Sequence, residues 1–399
     1  MYTNAAILAV LAFFFAIVSG RVDRSWLSGP ILFVTAGFLL GPGGLGVLHL
    51  NIKADGLRVL AEFTLAMVLF SDAANADLAR IRSHAGLPKR LLLIGLPLTI
   101  LLGFIVAWLL FPGLGMVELG LIAATLAPTD AALGKPVVTN RAVPVDTREA
   151  LNYESGLNDG ICVPIVVLLV GLAIGTEIEG TTLTHALRVV AEELGIGLAA
   201  GLVLSSSASV LLRRANSIGW IGENWTGVTV VALAIACFTA AQALGGSGFV
   251  ACFVGGLAFK APQGEKHRLL RGAEGSGEAL ALLTWVIFGA AVVWQMSDRI
   301  TGATILYAAL SLTLIRMLPV YMGLAGTSLA ASDRLFMGWF GPRGLASIVF
   351  GIILLDAQLP NAGTVLATIV CTVLLSVIAH GVTANPLVRA FAPRWRGAA

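Results

Sequence analysis

The sequence predicts an all-α polytopic membrane protein of about thirteen transmembrane helices, with inverted repeats (spans 1–6 and 8–13) and broken crossing helices at spans 5 and 12. Three observations predict it. Hydrophobic residues make up 57% of the 399-residue chain and charged residues 12%, whereas a water-soluble domain carries about 25% charged residues. Apolar runs of about 20 residues, long enough to cross the hydrocarbon layer as helices, recur along the whole chain. The runs of the second half repeat those of the first, and one run in each half is interrupted by a proline close to a charged residue.

From the N-terminus, the runs centre near residues 12, 37, 65, 100, 126, 164, 200, 233, 254, 286, 314, 345 and 373. No basic residue precedes the first run and Arg21 and Arg24 follow it, so it is expected to remain a span and not be cleaved as a leader. Span three ends in Leu69-Phe70-Ser71-Asp72-Ala73, where Asp72 suits either a cytoplasmic ion entrance or an interfacial cap. Span five is broken at Ala127-Pro128-Thr129-Asp130 and span twelve at Gly341-Pro342-Arg343-Gly344, an offset of about 213 residues. Proline has no amide hydrogen to donate and its ring clashes with the preceding turn, so both places are expected to unwind. Offsets of about 209 to 221 residues relate the span centres of the two halves, and a shift of seven spans turns the second half upside down. Asp130 is expected among the carbonyls that unwinding frees, and Arg343 where half-helix ends need a cation, the two forming a crossed pair.

The remaining spans carry fewer polar groups. Glu192 and Glu193 open span seven near its outer edge and are expected to snorkel. Ser205, Ser206, Ser207, Ser209, Gly195 and Gly255-Gly256 read as close-packing positions. His380, in span thirteen, reads as a hydrogen-bonded core histidine. Cys162, Cys237, Cys252 and Cys371 lie inside apolar runs without metal or disulfide spacing, which points to packing.

Charge sets the orientation. Of the 25 Lys and Arg residues, nineteen fall in loops after odd-numbered spans and four (Lys53, Arg58, Arg188, Arg299) on the other side. That bias places the N-terminus outside and the C-terminus in the cytoplasm of a cell (inner) membrane. It also explains the net charge of +3 without a nucleic-acid partner. The tail after Leu387 is expected to hold no soluble regulatory domain. The last two cations, Arg316 and Arg343, lie within spans eleven and twelve and need anionic or carbonyl partners there.

Span six holds the densest polar group, Asn152-Tyr153-Glu154-Ser155-Gly156-Leu157-Asn158-Asp159-Gly160. At helical spacing Glu154 and Asn158 are i,i+4, and Ser155 and Asp159 are i,i+4 on the adjacent strip, so all four share one face. Facing lipid, a charged group would cost at least about 2.5 to 3.5 kcal/mol, so this face is expected to meet water, an ion or other helices. A small hard cation such as sodium takes oxygen ligands, and Asp159, Asp130, Ser155 and the Thr129 hydroxyl or carbonyl supply such a set. Asp159 is the expected exchange group, holding a proton or the cation in competition. Asn158 cannot titrate and is expected to brace the span-five break near Thr129. One exchangeable charge implies one proton for one monovalent cation. Glu154 is expected to pair with Arg316, or else with Arg343, since a bidentate guanidinium best neutralises a carboxylate inside a membrane.

Glu154-Ser155-Gly156-Leu157-Asn158-Asp159-Gly160, Pro128-Thr129-Asp130 and Gly341-Pro342-Arg343-Gly344 together resemble the NhaP-type sodium/proton antiporters of the monovalent cation:proton antiporter group. The resemblance covers essentially the whole chain. It implies a thirteen-helix antiporter fold and a homodimer. It implies a core bundle at about 89–175 and 302–390 that moves like an elevator against a dimerisation part at about 1–75 and 184–296. It implies ion contacts from Asp159, Asp130, Ser155 and Thr129, supported by Asn158, Glu154, Arg316 and Arg343. The pattern departs in span three, where many relatives have Leu-Phe-Glu-Gly-Gly and Asp72 stands one residue away from that carboxylate.

The leading reading is therefore Na+ (or Li+) exchanged for H+, with K+/H+ exchange as the neighbouring alternative. The transported ions and the lipid bilayer are the partners, no cofactor is needed, and the chain is not expected to be an enzyme. A cation channel lacks proton coupling. An intramembrane hydrolase using Ser155 and His380 lacks a Gly-x-Ser-x-Gly elbow.

Overall fold

Apolar runs become helices, and proline, glycine and threonine decide where they stop. The computed structural model describes residues 2–22, 28–50, 55–76, 86–177, 183–222, 225–262, 264–356 and 359–397. Arg24, Lys53, Arg80 and Arg82, part of the orientation signal, lie outside the described residues. Among the described residues the secondary structure is helical, without a strand. In chain order the helices are α1 (Tyr2–Val22), α2 (Gly29–Leu40), α3 (Asp55–Asn75), α4 (Gly86–Leu110), α5 (Met116–Thr125), α6 (Ala131–Val138), α7 (Val145–Glu177) and α8 (Leu183–Ser217). They continue as α9 (Thr226–Ala243), α10 (Gly248–Ala258), α11 (Lys266–Arg299), α12 (Gly302–Gly323), α13 (Ala331–Trp339), α14 (Leu345–Asp356) and α15 (Ala362–Gly397).

By length and composition eight of these can cross a membrane, namely α1, α4, α7, α8, α9, α11, α12 and α15. Helices α2, α5, α10 and α14 are apolar but shorter. The expected thirteen passes require these four and α3 to count as crossings too. Both expected breaks are present: α5 ends at Thr125 and α6 begins at Ala131, and α13 ends at Trp339 and α14 begins at Leu345.

Two smaller distortions have local causes. In α4 the turn Leu91–Gly95 is a π-helix lying just before Pro97, whose missing amide forces the hydrogen-bond ladder to change register. Helix α12 is interrupted at Thr313 (φ −109°, ψ −93°), where the Thr313 hydroxyl donates back to the Ala309 carbonyl at 2.7 Å. Such back-bonding bends helices, and neither proline nor glycine announces it in the sequence.

The described chain forms two compact units. The first comprises residues 1–58, 79–158 and 282–399. At its middle α15 packs against α12, α14, α6 and α5, so one helix touches both halves of the span-five break and the second half of the span-twelve break. Leu91, Val137, Val143, Val320, Phe336, Met337 and Val388 form an apolar cluster there. Helix α1 has no buried residue, which in a bilayer presents an apolar surface to lipid or to another chain.

The second unit comprises residues 59–78 and 159–281. Helices α8, α9 and α10 pack against each other within it. A Cβ at Gly197 would strike Ser247, and one at Gly201 would strike the Ala251 backbone, so α8 approaches α10 where side chains are missing. This corrects the sequence reading: a Cβ placed on Gly195 would meet nothing within 4 Å, and Ser206 and Ser207 are exposed. The packed stripe is Gly197, Gly201, Ser205 and Ser209, one residue per helical turn. Gly256 meets the Phe70 backbone, as a close-packing residue should.

Candidate ion-binding site

The site is built where the two broken spans of the first unit meet. Unwinding at Pro128 and Pro342 leaves helix-end amides and carbonyls without partners of their own, and each break satisfies the other. Arg343 Nη1 donates to the Ala127 and Pro128 carbonyls at 2.7 and 3.1 Å, closing the carbonyl end of α5. The Leu345 amide, at the start of α14, donates to Asp130 Oδ2 at 2.8 Å. The Leu133 amide donates to Asp130 Oδ1 at 3.2 Å. The Asp130 amide in turn donates to the Pro342 carbonyl at 2.8 Å, and the Ser347 hydroxyl to the Thr125 carbonyl at 2.7 Å.

The placement of Asp130 differs from the expectation. Its carboxylate sits on amides at the starts of α6 and α14, not among freed carbonyls. The physical reason is the helix dipole: an anion is favoured at the positive N-terminal end and a cation at the negative C-terminal end. Arg343 is on the carbonyls and Asp130 on the amides, so the crossed pair neutralises two helix ends.

The glycines of the second break make room for this. A Cβ on Gly344 would overlap the Asp130 carboxylate, and one on Gly341 would overlap the Arg316 guanidinium. That guanidinium belongs to the fully buried ion pair of the unit. Arg316 Nη1 and Nη2 reach Glu154 Oε1 and Oε2 at 2.6 and 2.7 Å, and both side chains are 1% exposed. The pairing is bidentate, and of the two arginines considered it is Arg316 that faces Glu154.

On the same face of α7, Asn158 Nδ2 donates to Thr129 Oγ1 at 2.7 Å, and Thr129 Oγ1 lies 3.0 Å from Ser155 Oγ. Thr129, Ser155 and Asn158 are all buried. Asn158 Oδ1 is buried and accepts no hydrogen bond among the described residues. The first unit thus brings Thr129, Asp130, Glu154, Ser155, Asn158, Arg316 and Arg343 together. Asp159 is the next residue along the unbroken helix α7, 8% exposed, and begins the second unit's share of that helix. Asp72, half-buried near the end of α3, also belongs to the second unit. Ser155 bonds to Thr129 and His380 to Ser376 and Trp339, so the nucleophile-and-base contact that a hydrolase needs is not made.

Several buried polar residues escaped the sequence reading, among them Glu62, Glu118 and Ser376. Glu118, in the first turn of α5, accepts the Gly115 amide at 2.8 Å, the Asn361 amide at 3.0 Å and the Asn361 side-chain amide at 3.1 Å. It therefore ties the start of the broken span five to the loop before α15. Its signal is the capping spacing of Gly115 and Glu118 ahead of an apolar run.

Comparison with known proteins agrees with this architecture. The chain is 26% identical over 394 residues to the K(+)/H(+) antiporter NhaP of Alkalimonas amylolytica, covering 97% of this chain and 67% of that one. It is 24% identical over 364 residues to the Na(+)/H(+) antiporter ApNhaP of Aphanothece halophytica, covering 86% of this chain and 67% of the relative. The chain spans about two thirds of the length of the curated relatives it matches, 67% and 66% for the first two. The fold superposes on the sodium proton antiporter MjNhaP1 of Methanocaldococcus jannaschii with a TM-score of 0.78 at 18% identity, covering 95% of this chain and 99% of the other. Residues 9–390 match the family described as "Sodium/hydrogen exchanger, transmembrane", and the chain, a multi-pass membrane protein, belongs to that family.

Proposed function

We propose that this chain exchanges a monovalent cation, sodium or lithium, for a proton across a membrane by alternating access. The observation that carries the reading is the Thr129–Ser155–Asn158 hydrogen-bonded set at the span-five break, one residue along α7 from Asp159. A carboxylate beside hydroxyl oxygens suits a dehydrated hard cation. The same carboxylate can hold a proton instead, so the two compete for one seat. Asp159 is the exchange group in this proposal. Ser155, Thr129 and Asp130 are its oxygen partners, while Asn158, Glu154, Arg316 and Arg343 hold the frame. Asp72, near the end of α3, suits either the cytoplasmic approach or an interfacial cap.

Potassium is the second reading, favoured by the relatives named as K(+)/H(+) antiporters. Either cation leaves the chemistry without a covalent step or a cofactor, so the chain acts as a transporter and not as an enzyme. The remaining proposals rest on loop charge and family resemblance. The N-terminus faces outward and the C-terminus the cytoplasm of a cell membrane. A core of about 89–175 and 302–390 moves against about 1–75 and 184–296, through which two copies pair.

The deciding measurement uses purified protein in sealed lipid vesicles with an interior pH-sensitive dye. Adding sodium outside acid-loaded vesicles should raise the interior pH, lithium should follow, and the series sodium, lithium, potassium, choline ranks the cations. Vesicles in which no alkali cation moves protons would overturn the exchange reading.

A further inference from the structure

We infer that His380 is a positioning residue for exchange, a neutral imidazole with its hydrogen on Nε2 that holds the span-twelve break at Trp339 directly and at Arg343 through Ser376. The ring is 1% exposed on α15. Its Nε2 lies 2.8 Å from the carbonyl oxygen of Trp339, the last residue of α13. A carbonyl can only accept, so this contact calls for the hydrogen on Nε2. On the other side of the ring, Nδ1 faces two oxygens of Ser376, the hydroxyl at 3.1 Å and the carbonyl at 3.0 Å. Both carbonyls already accept a backbone amide, Trp339 from Gly341 at 2.8 Å and Ser376 from the helix residue four on. A hydrogen moved to Nδ1 for the Ser376 carbonyl would leave the bare Nε2 lone pair against the Trp339 carbonyl. Ser376 Oγ meanwhile accepts the Arg343 amide at 2.7 Å, which leaves its own hydrogen to give to Nδ1. Donors and acceptors then match along the whole chain from the Arg343 amide through Ser376 and His380 to the Trp339 carbonyl.

Those two backbone groups lie at the start of the unwound segment and inside it. One is the final carbonyl before it and the other is the amide of the arginine within it. A third residue of α15 completes the hold: the Trp339 indole nitrogen donates to Thr383 Oγ1 at 3.0 Å, and the Trp339 and His380 rings lie 5.2 Å apart. Ser376, His380 and Thr383 are spaced four and three residues apart, so they share one face of the helix. Arg343, fixed by its amide, places its guanidinium on the Ala127 and Pro128 carbonyls, and Thr129 is the next residue. His380 therefore acts on the ion site at second hand, by setting where one broken span sits on the other. A histidine that merely filled core space would not need both ring nitrogens engaged with opposite polarity across a helix break.

The kinetic part of this inference rests on the exchange reading above, and the test separates the two. Wild type, His380→Ala, His380→Gln and Ser376→Ala are compared in dye-loaded vesicles for apparent KM for sodium and for maximal rate. Their thermal unfolding in detergent is measured alongside. Losing one buried hydrogen-bond partner should raise the KM of His380→Ala about tenfold, with a smaller change in maximal rate. The glutamine amide can still donate to Trp339, so His380→Gln should return to within about threefold of wild type. Ser376→Ala, which removes the acceptor of the Arg343 amide, should shift KM in the same direction as His380→Ala. Unchanged KM in His380→Ala and Ser376→Ala would overturn the role, as would equal loss of maximal rate in His380→Ala and His380→Gln at wild-type KM. A nitrogen-15 spectrum of histidine-labelled protein reads the tautomer without any transport. A ring protonated on Nε2 alone, and lost in His380→Gln, supports the brace, and a hydrogen on Nδ1 overturns it. Wild-type vesicles without exchange would sink the transport reading while this spectrum still decides the brace.

Discussion

A carboxylate inside a membrane must be neutralised by a cation, by hydrogen bonds or by a proton, and the three carboxylates at the end of span five and within span six differ in which they use. Glu154 is spent on Arg316 in a bidentate pair. Asp130 is spent on two backbone amides. In the proposal Asp159 is the one that exchanges its neutraliser. Asp159→Asn should then abolish cation-driven proton movement in vesicles while the protein keeps its wild-type unfolding temperature; retained exchange at normal sodium affinity would remove Asp159 from the site. Glu154→Gln should do the reverse. Removing one member of a buried ion pair costs about 3 to 5 kcal/mol because its partner is left uncompensated. Glu154→Gln should therefore lower the unfolding temperature and yield, and the double variant Glu154→Gln with Arg316→Met should recover part of the loss. A double variant no more stable than the single would show that the two side chains are not coupled. The need of Glu154 for a cation was legible in the sequence from its depth alone. Which arginine answered it was settled by packing, because Arg343 is engaged with the carbonyls of the other break.

At the scale of elements, proline marked both breaks, but proline alone does not unwind a helix, since Pro164 lies inside the unbroken α7 and Pro386 and Pro393 inside α15; the repeat-related placing of Pro128 and Pro342 singled these two out. What each break would face was not local information. Asp130 and Arg343 have opposite signs, yet only the crossing of the spans shows that the aspartate meets the amide end of α14 and the arginine the carbonyl end of α5. The same limit explains Glu118, two of whose three hydrogen bonds come from Asn361, 243 residues away, whereas Thr313 acts locally, through one hydroxyl bond to the Ala309 carbonyl. The glycines of the second break give a test of the interlock. Gly344→Ala would push a methyl into the Asp130 carboxylate and break the cap on Leu345, a loss of about 0.5 to 2 kcal/mol. Gly341→Ala would press on Arg316 and disturb the Glu154 pair, and should be the more destabilising of the two. Thermal unfolding of both variants in detergent, with exchange measured in vesicles, checks the order. Equal stability to wild type in both would mean that the breaks do not rely on this close approach.

For the molecule as a whole, charge inside the membrane decides whether voltage can drive the cycle. Glu154 offsets Arg316, and Asp130 with Arg343 sums to zero, so these four contribute no net charge to any segment that carries all of them. In the proposal Asp159 adds one negative charge, and a bound sodium ion or a bound proton would cancel it equally. A loaded site is then neutral in both directions of movement, and an empty charged site is held back by the expense of carrying an uncompensated carboxylate across an apolar barrier. On that proposal the membrane potential finds no charge to act on. A cycle that moved even one elementary charge would respond by about 2.3 kcal/mol per 100 mV, a bias far too large to miss. A sodium jump on vesicles adsorbed to a solid-supported bilayer should thus give no sustained current while the interior dye reports proton exit. A steady current that follows sodium concentration would require a second exchangeable charge beside Asp159, with Asp130 released from its two amides as the first group to examine.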